Sequence, residues 1–203
     1  MKGLLNKINS CASYISEELL PKQKTVHNSV FFHEDNYCLL ELLPVQNLLI
    51  KQPGPGEIEQ HAEKNFTGNG FLNCACREQA NYSLSHLNID KKEFKAIIGN
   101  ESLFYFDTVY TGYSTERILK KHARGFGFEN YILFYEFIDD LIITCWVDYN
   151  PIAETLNSYP EKLQDTLLKL GDTYGLVLID WNECQTVNLA NKHALCNYMK
   201  EAL

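Results

Sequence analysis

YILFYEFIDDLIITCWVD, residues 131–148, decides the fold. Two runs rich in aromatic and β-branched residues, 131–138 and 141–148, flank the pair Asp139-Asp140. Such runs read as strands, and a two-residue polar connection reads as a tight antiparallel hairpin. Side chains alternate across a strand, and here both alternating sets are apolar. A strand of that kind sits near the centre of a sheet with both of its faces covered.

Working outward, helices and strands follow in an irregular order. Pro160 stands where a first helical turn belongs, and Leu163, Leu167 and Leu170 make one face of a helix ending at Gly171. Residues 174–181 form a nearly all-apolar strand, with 184–187 as its short partner, and Leu195, Tyr198, Met199 and Ala202 mark a closing helix. The helices at 160–170 and 190–202 are the expected cover for the hairpin. Upstream, Asp90-x-x-Glu93 has the form of a capping box opening a helix over 91–98, which stops at Gly99-Asn100. Residues 103–111 predict one strand and 115–123 a short helix, with Arg117, Lys120, Lys121 and Arg124 along one side. Strands at 30–32 and 37–42 flank His33-Glu34-Asp35-Asn36 as a second hairpin, and 47–51 is a candidate third strand. A helix over 4–19 ends at Pro21, another is expected over 57–65, and a strand over 71–77. Strands in neighbouring pairs with single helices between them define an α+β chain, with an antiparallel or mixed sheet around the central hairpin. Residues 1–203 read as a single domain, with 52–70 (opening on QPGPG) as a possible subdomain seam.

Charge is concentrated in the same region. Residues 129–183 carry eleven acids against Lys162 and Lys169, a net of nine negatives, whereas the whole chain has a net charge of −8. Strand ends and connections hold Asp139, Asp140, Asp148, Asp180 and Glu183. Trp146, Tyr149, Tyr159, Tyr174 and Trp181 lie close by. Aromatic anchors inside a charged surround have the composition of a protein-binding hot spot. The candidate partner-binding residues are therefore Asp139, Asp140, Asp148, Asp180, Trp181 and Glu183, and the expected partner is a basic protein. Nucleic acid is repelled by such a field.

Catalytic and cofactor signals are weak throughout. His33-Glu34-Asp35 are adjacent ligand types whose side chains diverge, so no metal site is assigned. Cys74-Ala75-Cys76 lacks the second pair that a structural zinc needs. Gly125-Phe126-Gly127 lacks the strand before and helix after that a phosphate loop requires, and reads as a flexible turn. With no nucleophile elbow, H-E-x-x-H or phosphate-loop pattern present, no catalytic residue and no cofactor is assigned.

Seven scattered cysteines fit free thiols in a reducing cytoplasm. Asn6, Lys7, Asn9 and Ser10 interrupt the apolar core a secretory signal needs. The longest apolar run is too short for a membrane span. A cytoplasmic chain with no membrane partner is expected.

The stretches 31–38 (FFHEDNYC), 107–113 (DTVYTGY) and 178–182 (LIDWN) resemble uncharacterised bacterial proteins of similar size. In size, acidity, α+β pattern and lack of catalytic motifs the chain is similar to immunity proteins of bacterial polymorphic-toxin and contact-dependent inhibition systems. That resemblance implies a protein that binds and neutralises a cognate toxin, often a basic nuclease, inside the cell that makes it. It assigns no site residues. A hydrolase or modifying enzyme of unrecognised family and a structural or adaptor subunit are the alternatives.

Overall fold

Asp139 and Asp140 both adopt left-handed backbone conformations (φ 48° and 65°), the geometry of a type I′ turn. They join β7 (Tyr131–Ile138) to β8 (Leu141–Tyr149), the hairpin expected from sequence. The computed structural model describes residues 29–49, 60, 63, 64, 82–113, 115–149 and 160–201. The other strands are β1 (Ser29–His33), β2 (Leu40–Pro44), β3 (Phe104–Phe106), β4 (Thr108–Gly112), β5 (Ile118–Leu119), β6 (Ala123–Gly127), β9 (Leu176–Asp180) and β10 (Gln185–Asn188). Among the described residues, apart from helical positions 60, 63 and 64, three helices accompany them: α1 (Lys91–Gly99), α2 (Glu161–Tyr174) and α3 (Lys192–Glu201). The expected helix over 4–19, the strand over 71–77 and the seam at 52–70 lie outside the described residues, except that positions 60, 63 and 64 are helical.

Seven strands form one antiparallel sheet in the order β10-β9-β2-β8-β7-β6-β3, with the hairpin at its centre. A second sheet, β1-β4-β5, contains a parallel pair, β1 with β4. All three helices pack on one face of the large sheet. There Leu133, Tyr135 and Cys145 meet Phe94, Leu163, Leu167, Leu195 and Met199. A register shift between Glu136 and Phe137 lets Ile142 and Cys145, three positions apart, both reach this core. The opposite face of the hairpin presents Ile132, Phe134 and Trp146 to Val30, Phe32 and Val109 of the small sheet. Both faces are thus covered, as the apolar pattern requires, but the second cover is a sheet and not a helix. The result is a three-layer α+β architecture.

Several local expectations are corrected. Residues 103–111 make two strands, because the chain turns at Asp107 from the large sheet into the small one. The segment 33–36 is not a hairpin loop, since β1 and β2 belong to different sheets and a 3₁₀ turn over Glu34–Asn36 carries the chain between them. Nor do residues 115–123 form a helix. Ile118 and Leu119 pair with Thr111 and Tyr110 at a sheet edge, so the four bases share no helical face. Residues 45–49 are a 3₁₀ turn locked by the buried Asn47, whose amide bonds the carbonyls of Pro44 and Tyr82. Gly125 and Gly127 lie inside β6, where a Cβ would come within 3.2 Å of Ile132 and 3.1 Å of Phe106 respectively. Their job is to admit neighbouring side chains, not to bend the chain.

Helix α2 does not end at Gly171. It continues to Tyr174 and stops at Gly175, whose φ of 62° closes a left-handed cap. Gly171 serves packing instead, since a Cβ there would lie 2.5 Å from the backbone of Leu189. Asp90 does cap α1, accepting the amides of Lys92 and Glu93.

Candidate functional site

The hairpin divides the six predicted partner-binding residues between its two ends. Asp139 and Asp140 sit at the tip, and Asp148 lies eight residues along β8, roughly 25 Å away at the usual strand rise. Across β2, the corner after β9 places Asp180, Trp181 and Glu183 at the Asp148 end. One continuous surface of all six residues does not exist.

The tip is a braced structure. Asp140 forms an ion pair with Lys91, which also stacks over the Phe137 ring. The hydrogen bond and charge of Lys91 hold the Asp140 carboxyl below its ordinary range. The Lys91 amide bonds the Asp140 carbonyl, and Ile142 bonds the Ile89 carbonyl, so the tip is fastened to the start of α1. Asp139 is exposed beside it.

At the other end Asp180 is committed to structure. Only 4 % exposed, it accepts the amides of Asn182 and Glu183 on Oδ1 and the Tyr198 hydroxyl on Oδ2, at 2.7 Å. Burial and the adjoining carboxylate push the Tyr198 hydroxyl well above its ordinary range. Trp181 is half-buried against Leu43, Val177 and Ile179, and its Nε1 donates to Glu41 at 3.1 Å. Trp146 is fully buried between the sheets and is no surface anchor. Glu183 is exposed.

Asp148 has a different environment. β2 pairs with β8 only at Leu40 and Glu41. Ahead of Leu40 the chain swings away through Cys38, whose φ is 56°. The ends of β8 and β9 are left standing apart. Between them opens a cleft of about 360 Å³, with Asn36 and Leu40 where β2 departs, Tyr131, Asp148 and Tyr149 on one side, and Asn182 on the other. This is the low end of the roughly 300–1,000 Å³ typical of ligand pockets.

The Asp148 carboxylate lines the cleft. Oδ1 accepts the Tyr149 amide at 2.8 Å and the Asn36 amide at 3.2 Å. Oδ2 has only the same Asn36 group, at 3.4 Å. Burial pushes its pKa up to about 6, against the opposing pull of those two donors and of His33. No ion pair with a lysine or arginine reaches it among the described residues. Nearby Tyr149 is 58 % exposed, and its ring meets that of Tyr131 edge-on, with centroids 5.9 Å apart. Two residues before Tyr131, the Oε2 of Glu129 is buried without a hydrogen-bond partner.

Asn36, Tyr131 and Asn182 were not read as site residues from sequence. Their signal is topological, because they meet only where β2 leaves the sheet. Of His33, Glu34 and Asp35 only Glu34 turns away, accepting the Thr111 hydroxyl at 2.6 Å, whereas His33 Nδ1 and Asp35 Oδ2 approach to 3.4 Å. Among the described residues no group of three or more His, Cys, Asp or Glu is arranged to hold a metal ion. Among the described residues Cys38, Cys145, Cys184 and Cys196 form no disulfide, and Cys11, Cys74 and Cys76 lie outside the described residues. No described helix is long and apolar enough to cross a membrane. No family model matches the chain, and no curated protein or solved structure matches it either.

Proposed function

We propose that this protein is an acidic binding protein of the immunity or antitoxin type, which neutralises a basic toxin in the cytoplasm of the bacterium that makes it. The observation that carries this reading is the Asp148 carboxylate, drawn partly out of water at a cleft where, among the described residues, no lysine or arginine pairs with it. A carboxylate so placed costs stability unless a counter-charge arrives. A basic protein supplies that charge. Exposed Tyr149 and Glu183 stand nearby to add aromatic contact and long-range attraction. The net of nine negatives over residues 129–183 raises the encounter rate with such a partner.

The test is affinity capture on the full-length protein from native host lysate, read by mass spectrometry, with the captured protein then purified and its activity measured. A basic polypeptide whose activity is abolished by stoichiometric addition of this protein is expected. Its association should slow as salt rises, since exposed charges are screened over about 8 Å at physiological ionic strength. Recovery of only acidic proteins or nucleic acid, or a captured protein whose activity is untouched, sinks the reading.

A further inference from the structure

We infer that the cleft between β8 and β9 is a receptor for one cationic side chain, an arginine of the partner, with Asp148 as its counter-ion and Tyr149 as its aromatic wall. The inference rests on the binding-protein reading above for the source of the side chain. The chemistry is local to the cleft.

Four features select this ligand. The first is unused acceptor capacity. A carboxylate has about four lone-pair directions, and Oδ2 of Asp148 has a single, long contact shared with Oδ1. Planar, forked donors fill such a vacancy bidentately, which favours guanidinium over ammonium. The second is the exposed Tyr149 ring, whose face attracts cations, arginine most often. The third is the rim, where the exposed Asn182 makes no side-chain hydrogen bond among the described residues and its amide oxygen can take a further guanidinium N–H.

The fourth is charge. The cleft's carboxylate would repel the phosphates of a nucleotide, whereas it attracts a cationic side chain. A metal ion is a poor fit, because one carboxylate and two amides fall short of the six to eight oxygens calcium takes. The raised pKa of Asp148 agrees: a desolvated carboxylate with only neutral hydrogen-bond donors is what an incoming cation relieves. The hairpin tip offers no equivalent, since Lys91 already occupies Asp140.

The probe is the blocked tripeptide Ac-Gly-Arg-Gly-amide, with its citrulline and lysine counterparts, titrated into the full-length protein by NMR. The arginine peptide should move the amides of Asn36, Leu40, Tyr131, Asp148, Tyr149 and Asn182 at millimolar concentrations. The lysine peptide should bind more weakly, and the neutral citrulline peptide at least tenfold more weakly. D148N should weaken the arginine peptide at least tenfold with the rest of its spectrum unchanged. If D148N does not fold, the map on the unaltered protein still decides. Shifts at Asp139, or spread over the acidic surface, would overturn the assignment, as would equal binding of arginine and citrulline. A captured basic partner that binds D148N undiminished would remove the cleft and keep the binding-protein reading. A cleft that takes the peptide in a protein with no basic partner would do the reverse.

Discussion

Replacing Asp148 by Asn isolates the cost of holding a carboxylate in the cleft. Its folded-state pKa of about 6 lies above the ordinary 3.8, so the folded protein binds the proton more tightly than the unfolded chain. The sign follows from linkage. Stability is greatest below about pH 4, where both states are protonated, and falls as pH rises through about 6. Above that window the penalty is fully present. A difference of that size corresponds to roughly 3 kcal/mol, or about 2 kcal/mol once the solvated edge of the side chain is allowed for. Asparagine cannot ionise, keeps the shape, and still accepts the Tyr149 amide. D148N should therefore match the parent near pH 4 and exceed it by about 2 kcal/mol at pH 7.5, a rise in Tm of about 4–8 °C. The assay is paired urea denaturation of both proteins from pH 4 to 8. A second series in a His33→Asn background is needed, because the imidazole of His33 on β1 pulls the Asp148 carboxyl down. Tyr131, Tyr149 and Asn36 complete the surroundings and carry no charge in this range. Parallel pH curves, or a parent more stable than D148N at pH 7.5, would refute the desolvation of Asp148 and with it the reason for placing a cation there.

Three further outcomes follow from the geometry. Tyr198→Phe leaves a buried Asp180 oxygen without its 2.7 Å donor, and should cost about 2 kcal/mol in urea denaturation; an unchanged midpoint would mean water replaces the hydroxyl. Gly171→Ala forces a Cβ against the Leu189 backbone and should cost about 3 kcal/mol, although alanine ordinarily favours a helix; a stabilised variant would show that α2 and residue 189 do not approach so closely. Once a partner is in hand, Glu183→Lys should slow association several-fold at low salt while Asp139→Lys, at the opposite end of the hairpin from the cleft, changes it little. Equal effects would move the interface off the cleft.

The central hairpin was legible because its pattern answers only to local rules. Its apolar residues point both ways and its turn is two residues long, so its place mid-sheet follows. Helices α1 and α3 and the pairing of β9 with β10 were legible for similar reasons. What misled was a signal shared by two causes. Gly171 carries the sequence mark of a helix end, yet it is needed for close approach to Leu189, and Gly175 four residues later makes the stop. The segment 103–111 looks like one strand because each half is a strand, and nothing local to Asp107 announces a change of sheet. Residues 115–123 carry bases at helical spacing, but their backbone groups find partners in β4. In each case the deciding contact is distant in the chain.

The same distinction governs the acidic segment. Charge density treats Asp140, Asp148 and Asp180 as equivalent, whereas folding satisfies them by different means. Asp140 has its cation and Asp180 has three hydrogen bonds that close a turn and seat α3. Reversing Asp180 would therefore unfold the corner before it tested any partner, and a loss of binding there would say nothing about steering. Asp148 alone of the three is half-satisfied, and it is so because the strand that would have covered it, β2, begins only at Leu40, the chain before it coming across from the other sheet. A carboxylate in the middle of a completed sheet would have been selected against or paired. One beside a missing strand end can remain ionisable at modest cost and wait for a donor from outside. The late start of β2 is therefore the structural cause of the site, and the local acidity sets only the rate at which a cationic partner finds it.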